Sequence, residues 1–414
     1  MKHGSKGAVA VRLPCVTVSL HTLACAAVLL ALLWFPQVYF AKQEASSSDL
    51  TVHEWGTFTS ISGSDGQAAI DWLPLAGSTD LPSFVEHLRK TNFKEGLRGT
   101  VRMETPVLYF YTPREATVSV KVSLAKGLIT EWYPHAASVA ANNPRSDFSL
   151  YQIRTVGGIV WNAIRVEPGS AANFPRDSTE NHYYAARETS AAPIRVPSPS
   201  GDQQERFLFY RGVSTFLPPI SATLSADGTV LVRSQLQEEV PNVILFERRG
   251  HKVGYRILGP LHNQSSFATP QLKGSLASLF SDLKGILISQ GLYADEAHAM
   301  LETWKSSWFA EGSRIFYIVP RSFVESVLPL SISPTPTETT RVFVGRLELI
   351  TPATQQAVES ALASGDRVTL AKYSRFLEPI IQTMIQQSTD PSRQNRLTVY
   401  LHCFYSDLYA EVRK

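Results

Sequence analysis

The stretch TVSVKVSLA, Thr117 to Ala125, sets Val118, Val120, Val122 and Leu124 against Ser119, Lys121 and Ser123. A period of two is the mark of a strand with one face packed and the other wet. Similar short runs lie on either side of it: VLYFY (Val107–Tyr111), GIVWNAIRV (Gly158–Val166), RFLFYRG (Arg206–Gly212) and NVILFER (Asn242–Arg248). Asp227-Gly228 stands between SATLS and TVLVR, and both residue types tolerate the positive φ of a tight hairpin turn. No helical pattern separates these runs. They predict an antiparallel β-sandwich-like domain over residues 51–262, with APIRVPSPSGDQQ (Ala192–Gln204) as an exposed, proline-rich loop.

Beyond residue 262 the period changes. Leu276, Leu279, Phe280, Leu283, Ile286 and Leu287 fall at helical spacing, with Gly291 placed to end the helix. Ala297, Met300, Leu301, Trp304 and Trp308 form the stripe of a second helix, so a helical hairpin is expected. Two strands return, SRIFYIVP and TTRVFVGRLELI, through the loop SPTPTETT. Thr351-Pro352 then opens a helix as N-cap and first-turn proline. Helices are expected over 352–363 and 366–387, with a kink at Pro379. The closing segment RLTVYLHCFYSDLYAEV is too apolar for a free tail and has no clear period. The class is α+β, mainly β: a sandwich-like domain, a helical hairpin and a helical C-terminal part, residues 263–414 following residues 51–262.

Charge sets the compartment. The 414 residues carry a formal charge of +3, and Lys2, Lys6 and Arg12 account for all of it. The balanced body has no broad basic face, which argues against nucleic acid as a partner. Between Arg12 and Lys42 no Asp, Glu, Lys or Arg occurs; roughly 20 apolar residues span a bilayer core, so residues 13–41 are long enough. The cationic flank precedes the run, which keeps the N-terminus inside and exports the rest of the chain. Residues 1–42 read as a signal anchor or a cleaved signal peptide, and 43–50 as a spacer. The body then lies in the periplasm on an inner-membrane anchor, or is secreted if the leader is cut. Cys15 and Cys25 sit in the leader, leaving Cys403 without a partner for an internal disulfide; it is expected to be a small buried apolar group.

Chemistry is less explicit. In VHEWGTFTS, Val52 to Ser60, His53-Glu54-Trp55-Gly56-Thr57 matches the start of the zincin HExxH and fails at Thr57, where the second histidine belongs. The residues favour a strand, on which His53, Trp55 and Thr57 face one side while Glu54 and Phe58 face the other. His53 and Glu54 are then two buried polar groups needing separate partners, or one of them serves a site. RMETP puts Arg102 and Glu104 on one strand face, consistent with an ion pair; Arg187 and Arg211 are other possible partners for Glu104. ENHYYAARET gathers Glu180, His182, Tyr183, Tyr184, Arg187 and Glu188 in what reads as a loop, and ITEWYPH adds Glu131, Trp132, Tyr133 and His135. If these converge, Glu131, Trp132, Tyr133, Tyr183, Tyr184 and Arg187 make an aromatic platform for a sugar ring. His53, Glu104, His135, His182 and Glu188 are the candidate ligands of a divalent metal; equally, the aromatic segments could seal the end of a sandwich. Asp295, His298 and Glu302 share a helix face turned from the apolar stripe, and are expected in water. There is no GxSxG, Walker A, GxGxxG or CxxC motif.

VHEWGTFTS, METPVLYFYTP, ITEWYP, ENHYYAARET, RFLFYRGV and SWFAEGSRIFYIVPR together resemble a family of exported bacterial proteins marked by an N-terminal HEWGTFTS motif. The resemblance covers most of the chain after Thr51. It implies a bacterial, extracytoplasmic setting and brings no activity, cofactor or catalytic residue with it. Two functions remain open. One is a binding or scaffolding protein for carbohydrate or an exported partner. The other is a metal-dependent hydrolase in which a carboxylate acts as base toward metal-bound water.

Overall fold

Val118, Val120, Val122 and Leu124 are buried and the residues between them are not, as their alternation requires. They belong to the smaller half of a sandwich. The computed structural model describes residues 49–63, 66, 81–88, 99–140, 157–225 and 227–412. The apolar run expected to be a leader, residues 13–41, lies outside them.

Nine strands, numbered along the chain, form the central sheet. In spatial order they are β14 (Lys252–Leu261), β13 (Val240–Arg249), β16 (Gly312–Ile318), β18 (Glu338–Leu349), β1 (Thr51–Ser62), β3 (Val101–Tyr111), β10 (Leu208–Ser214), β5 (Gly127–Tyr133) and β2 (Glu86–His87). A second sheet runs β17 (Leu330–Ser333), β4 (Ala116–Leu124), β7 (Gly157–Val166), β8 (Ile194–Val196) and β9 (Gln203–Glu205), with β6 (Ser138–Ala140) on β7. A third joins β11 (Ile220–Leu224), β12 (Thr229–Ser234) and β15 (Gln264–Ala268). The Asp227-Gly228 turn makes the β11–β12 hairpin as expected, with Gly228 at φ +83°. The loop expected at 192–204 instead begins and ends in β8 and β9, which pair with each other.

Most neighbours are antiparallel. The exception is central: β18 pairs with β1 in parallel, Trp55 opposite Val342. Strands from beyond residue 262 thus lie between β13 and β1. Residues 51–262 and 263–414 share one sheet, and the change of period marks a change of layer, not the end of a domain.

Alternate residues of the central strands feed two cores. Val52, Phe58, Leu108, Tyr210, Leu245 and Tyr317 pack with Val120, Val122, Ile159 and Trp161 of the second sheet. Trp55, Val107, Tyr109, Phe246 and Phe316 pack instead under the helical hairpin, against Leu279, Leu283, Leu287, Met300, Trp304 and Trp308. The hairpin helices are α1 (Leu276–Ser289) and α2 (Ala294–Trp308). Gly291, at φ +106°, ends the first, as its sequence position predicts. After a short helix α3 (Arg321–Val327), four helices close the chain: α4 (Pro352–Ser364), α5 (Arg367–Lys372), α6 (Ser374–Gln387) and α7 (Pro391–Val412). They form a third core with Ile61. The break expected at Pro379 occurs at Tyr373, between α5 and α6, while Pro379 sits inside α6. The unassigned C-terminal segment is helical. It buries Leu397 and Leu401, spaced i, i+4; Cys403, about 200° around the helix from Leu401, is exposed rather than buried.

One glycine is fixed by a close approach. A Cβ on Gly345 would stand 1.9 Å from Cζ of Tyr317, whose ring is fully buried. Gly345→Ala must displace that ring within a packed core and is expected to cost about 3 kcal/mol, read as a lower urea midpoint. An unchanged midpoint would mean that the ring can move aside at no cost.

Candidate functional site

His53 and Glu54 point to opposite faces of β1, and each is buried with its own partners. His53 Nδ1 lies 2.8 Å from Oε2 of Glu296 on α2. Glu296 also accepts from the Tyr293 backbone N–H at 2.7 Å and the Tyr111 hydroxyl at 2.8 Å. The carboxylate thus caps the start of α2 and ties it to the sheet. On the sandwich face, Glu54 accepts from Arg341 Nε at 2.6 Å and from the Tyr210 hydroxyl. The motif that resembles half a metal site ties β1 to the helical layer through His53 and to two strands of its own sheet, β18 and β10, through Glu54.

The other candidate ligands are also separately engaged. Glu104 pairs with Arg102 at 3.3 Å and accepts from Thr59 Oγ1 at 2.8 Å, the ion pair the sequence suggests. His182 packs its ring 5.9 Å from that of Trp304. Glu188 is exposed at the end of a 3-10 helix, His182–Arg187, which replaces the expected loop. Among the described residues no three His, Cys, Asp or Glu side chains are grouped as a metal would require. Asp295, His298 and Glu302 are half-buried, not in open water. Asp295 accepts from the Ser190 backbone N–H at 2.7 Å and His298 packs edge-on to Phe280.

The aromatic platform is likewise internal. Tyr133, Tyr183 and Tyr184 are 3%, 1% and 6% exposed, which removes them as a surface for sugar stacking. The 3-10 helix turns its apolar side into the core under the hairpin. Arg187 follows it in, giving Nε at 2.9 Å and Nη2 at 2.6 Å to the two oxygens of Glu205, with the rings of Phe84, Phe174, Tyr183 and Tyr184 around its guanidinium. Burial raises the Glu205 pKa against the pull of Arg187. Burial, with the Glu205 charge beside it, also holds the Tyr183 hydroxyl well above its ordinary value. Glu131 is buried at 3% and accepts from Thr130 Oγ1, opposite Arg211 in the β10–β5 register.

A cleft of about 620 Å³ opens to solvent beside β2, at one edge of the central sheet. Trp132 and His135 line it with Phe84, Glu86, Ser198 and Gln203. Glu86 organises the wall: Oε1 meets His135 Nδ1 at 2.8 Å and Oε2 accepts from Trp132 Nε1 at 2.9 Å. The Gln203 side-chain oxygen takes the His135 backbone N–H at 2.7 Å. Glu86 and His135 side chains are each 31% exposed, and His135 Nε2 makes no hydrogen bond among the described residues. Glu86, the residue joining the other two, carries no sequence signal of its own. It lies 46 residues from Trp132 on a two-residue strand.

No protein-family model matches the chain, and no curated protein matches it. Among solved structures it is similar to the yeast delta-COP-I mu-homology domain, alone and complexed with Dsl1 WxWxV peptide. Both likenesses have 8% sequence identity and cover 72% of this chain and 95% of that chain, with TM-scores of 0.24 and 0.25. Neither is close enough to carry a ligand across. Among the described residues no helix is long and apolar enough to cross a membrane.

Proposed function

We propose that this is an extracytoplasmic binding protein of bacterial type, anchored in the inner membrane or exported through residues 13–41, which takes a hydroxyl-rich ligand of the carbohydrate class in the cleft beside β2. The supporting observation is the Glu86–His135–Trp132 wall. A carboxylate with spare lone pairs, an imidazole nitrogen without a partner, an amide and serine hydroxyls line one opening. That mixture of donors and acceptors suits neutral hydroxyl groups. Half-buried Phe84 supplies the apolar wall, with the buried Trp132 behind it. An exported protein seated in the same cleft is the second ligand class.

The metal-dependent hydrolase reading has no comparable support, since its five ligands, His53, Glu104, His135, His182 and Glu188, are separately engaged or apart. Titration of the purified full chain against a panel of neutral oligosaccharides should find a binder. Glu86→Gln and His135→Ala should weaken it at least tenfold, about 1.4 kcal/mol. Their thermal midpoints should stay near wild type, because a half-exposed pair contributes only about 0–1 kcal/mol. Undiminished binding in both variants, or no saccharide retained at all, would count against the proposal.

A further inference from the structure

A second pocket, of about 360 Å³, lies apart from that wall's residues, between the end of β3, the turn after β7 and the segment leading into β8. Tyr111, Thr112, Ser170, Ser190, Ala191 and Arg206 line it. We propose that it binds a small oxyanionic group, such as a carboxylate, phosphate or sulfate, on the guanidinium of Arg206. Such binding is independent of the saccharide cleft.

Two neighbouring arginines show how a guanidinium is satisfied in this part of the fold. Arg187 gives both Nε and Nη2 to Glu205, at 2.9 and 2.6 Å. Arg195 gives the same edge to Glu167, at 2.9 and 3.1 Å. Two parallel N–H groups on that edge match the two oxygens of an oxyanion. Arg206 is held in place differently. Nη1 donates to the Ala191 carbonyl at 2.6 Å, and the Phe174 ring lies 5.3 Å from its guanidinium carbon. Its Nε is buried with no hydrogen-bond partner, and among the described residues Arg206 joins no ion pair. The edge that its two neighbours fill with carboxylate is left without an acceptor.

A second group in the same pocket has the same want. Ser170 Oγ is buried and has no hydrogen-bond partner among the described residues. Leaving a buried donor unmatched costs on the order of 1–3 kcal/mol, more when it is charged, so both groups call for an acceptor within reach. The carboxylates nearby are already committed: Glu205 to Arg187, Asp295 to the Ser190 and Glu296 backbone N–H groups, and Glu296 to His53, Tyr111 and Tyr293. Among the described residues that line the pocket, Arg206 is the one charged side chain. An entering oxyanion would take the free guanidinium edge and the serine hydroxyl together.

The test is thermal unfolding and calorimetric titration of the full chain with sodium phosphate, sulfate or acetate, against chloride at matched ionic strength. Wild type should gain thermal midpoint with the logarithm of at least one oxyanion's concentration, as binding to the folded state alone requires. The ranking of phosphate and sulfate against acetate tells a tetrahedral from a planar ligand. Arg206→Gln should abolish the oxyanion-specific gain. Arg206→Lys, which keeps the charge and loses the fork, and Ser170→Ala should each weaken binding by roughly three- to tenfold. If Arg206→Gln does not fold, the other two variants carry the decision. A wild type that treats every oxyanion as it treats chloride would show a pocket filled by water alone. Gains equal to wild type in Arg206→Lys and Ser170→Ala would show a general salt effect. Either result overturns the proposal.

Discussion

Glu348→Gln is expected to destabilise the protein by about 3–5 kcal/mol at neutral pH, the range for breaking a buried ion pair from one side. The carboxylate is fully buried and takes Arg314 Nε at 2.8 Å, Arg346 Nε at 2.7 Å and Arg375 Nε at 3.2 Å. Arg314 is itself completely buried, its other nitrogens held by the carbonyls of Trp308, the last residue of α2, and of Ala310 and Glu311 just beyond it. Without the negative charge, three guanidiniums would face one another where water cannot screen them. Burial alone would raise the Glu348 pKa; Arg314, Arg375 and Arg346 outweigh it and hold the group well below its ordinary 4.5. A carboxylate depressed in the folded state stabilises fully above its unfolded value and loses that contribution as pH falls toward its folded one. The gap between wild type and Glu348→Gln should therefore be widest above pH 4.5 and close by about 1.4 kcal/mol per pH unit below it. Urea titrations of both proteins at neutral and acid pH measure this. A gap that is small, or independent of pH, would mean that the cluster is not held by its charge.

Arg341→Met is the second large effect, again about 3–5 kcal/mol. It strands Glu54, which is 0% exposed, beside only the Tyr210 hydroxyl. Burial, with Glu54 next, pushes the Tyr210 pKa well up, so the phenol stays a neutral donor; having no cationic form, it supplies no counter-charge. Arg341 also gives Nη2 to the Leu328 carbonyl at 2.8 Å, which tethers β18 to the segment after α3. Adding Glu54→Gln to Arg341→Met should recover much of the loss, because a stranded buried charge costs more than a missing pair. If the double variant is as unstable as the sum of the singles, the two residues do not act as a unit.

Neither cluster could be read from local pattern, whereas other parts of the fold could. The alternation of β4, the Asp227-Gly228 hairpin, the α1–α2 stripes and the Thr351-Pro352 helix start are local rules, and each appears where the spacing puts it. Pro379 misled because a proline can be held within a helix by the packing around it; Phe376, Leu377, Ile380 and Ile381 are buried on α6. The candidate site was half legible. Trp132 and His135 stand out as a polar-aromatic pair, yet Glu86, which binds both, is one acid among many in the sequence. Arg206 gave no sign at all; its interest comes from the acceptor it lacks.

By itself the sequence determined the mainly β class, the place of the helical hairpin and the opposite facing of His53 and Glu54. Each depends on the period of backbone geometry, which neighbouring residues set. Tertiary structure alone decided that β18 would lie parallel to β1, that His53 would meet a carboxylate 243 residues away, and that Tyr183 and Tyr184 would be core. Those outcomes depend on which buried charges and apolar faces find complements across the whole chain. Desolvation penalises every wrong pairing, and no local spacing records it.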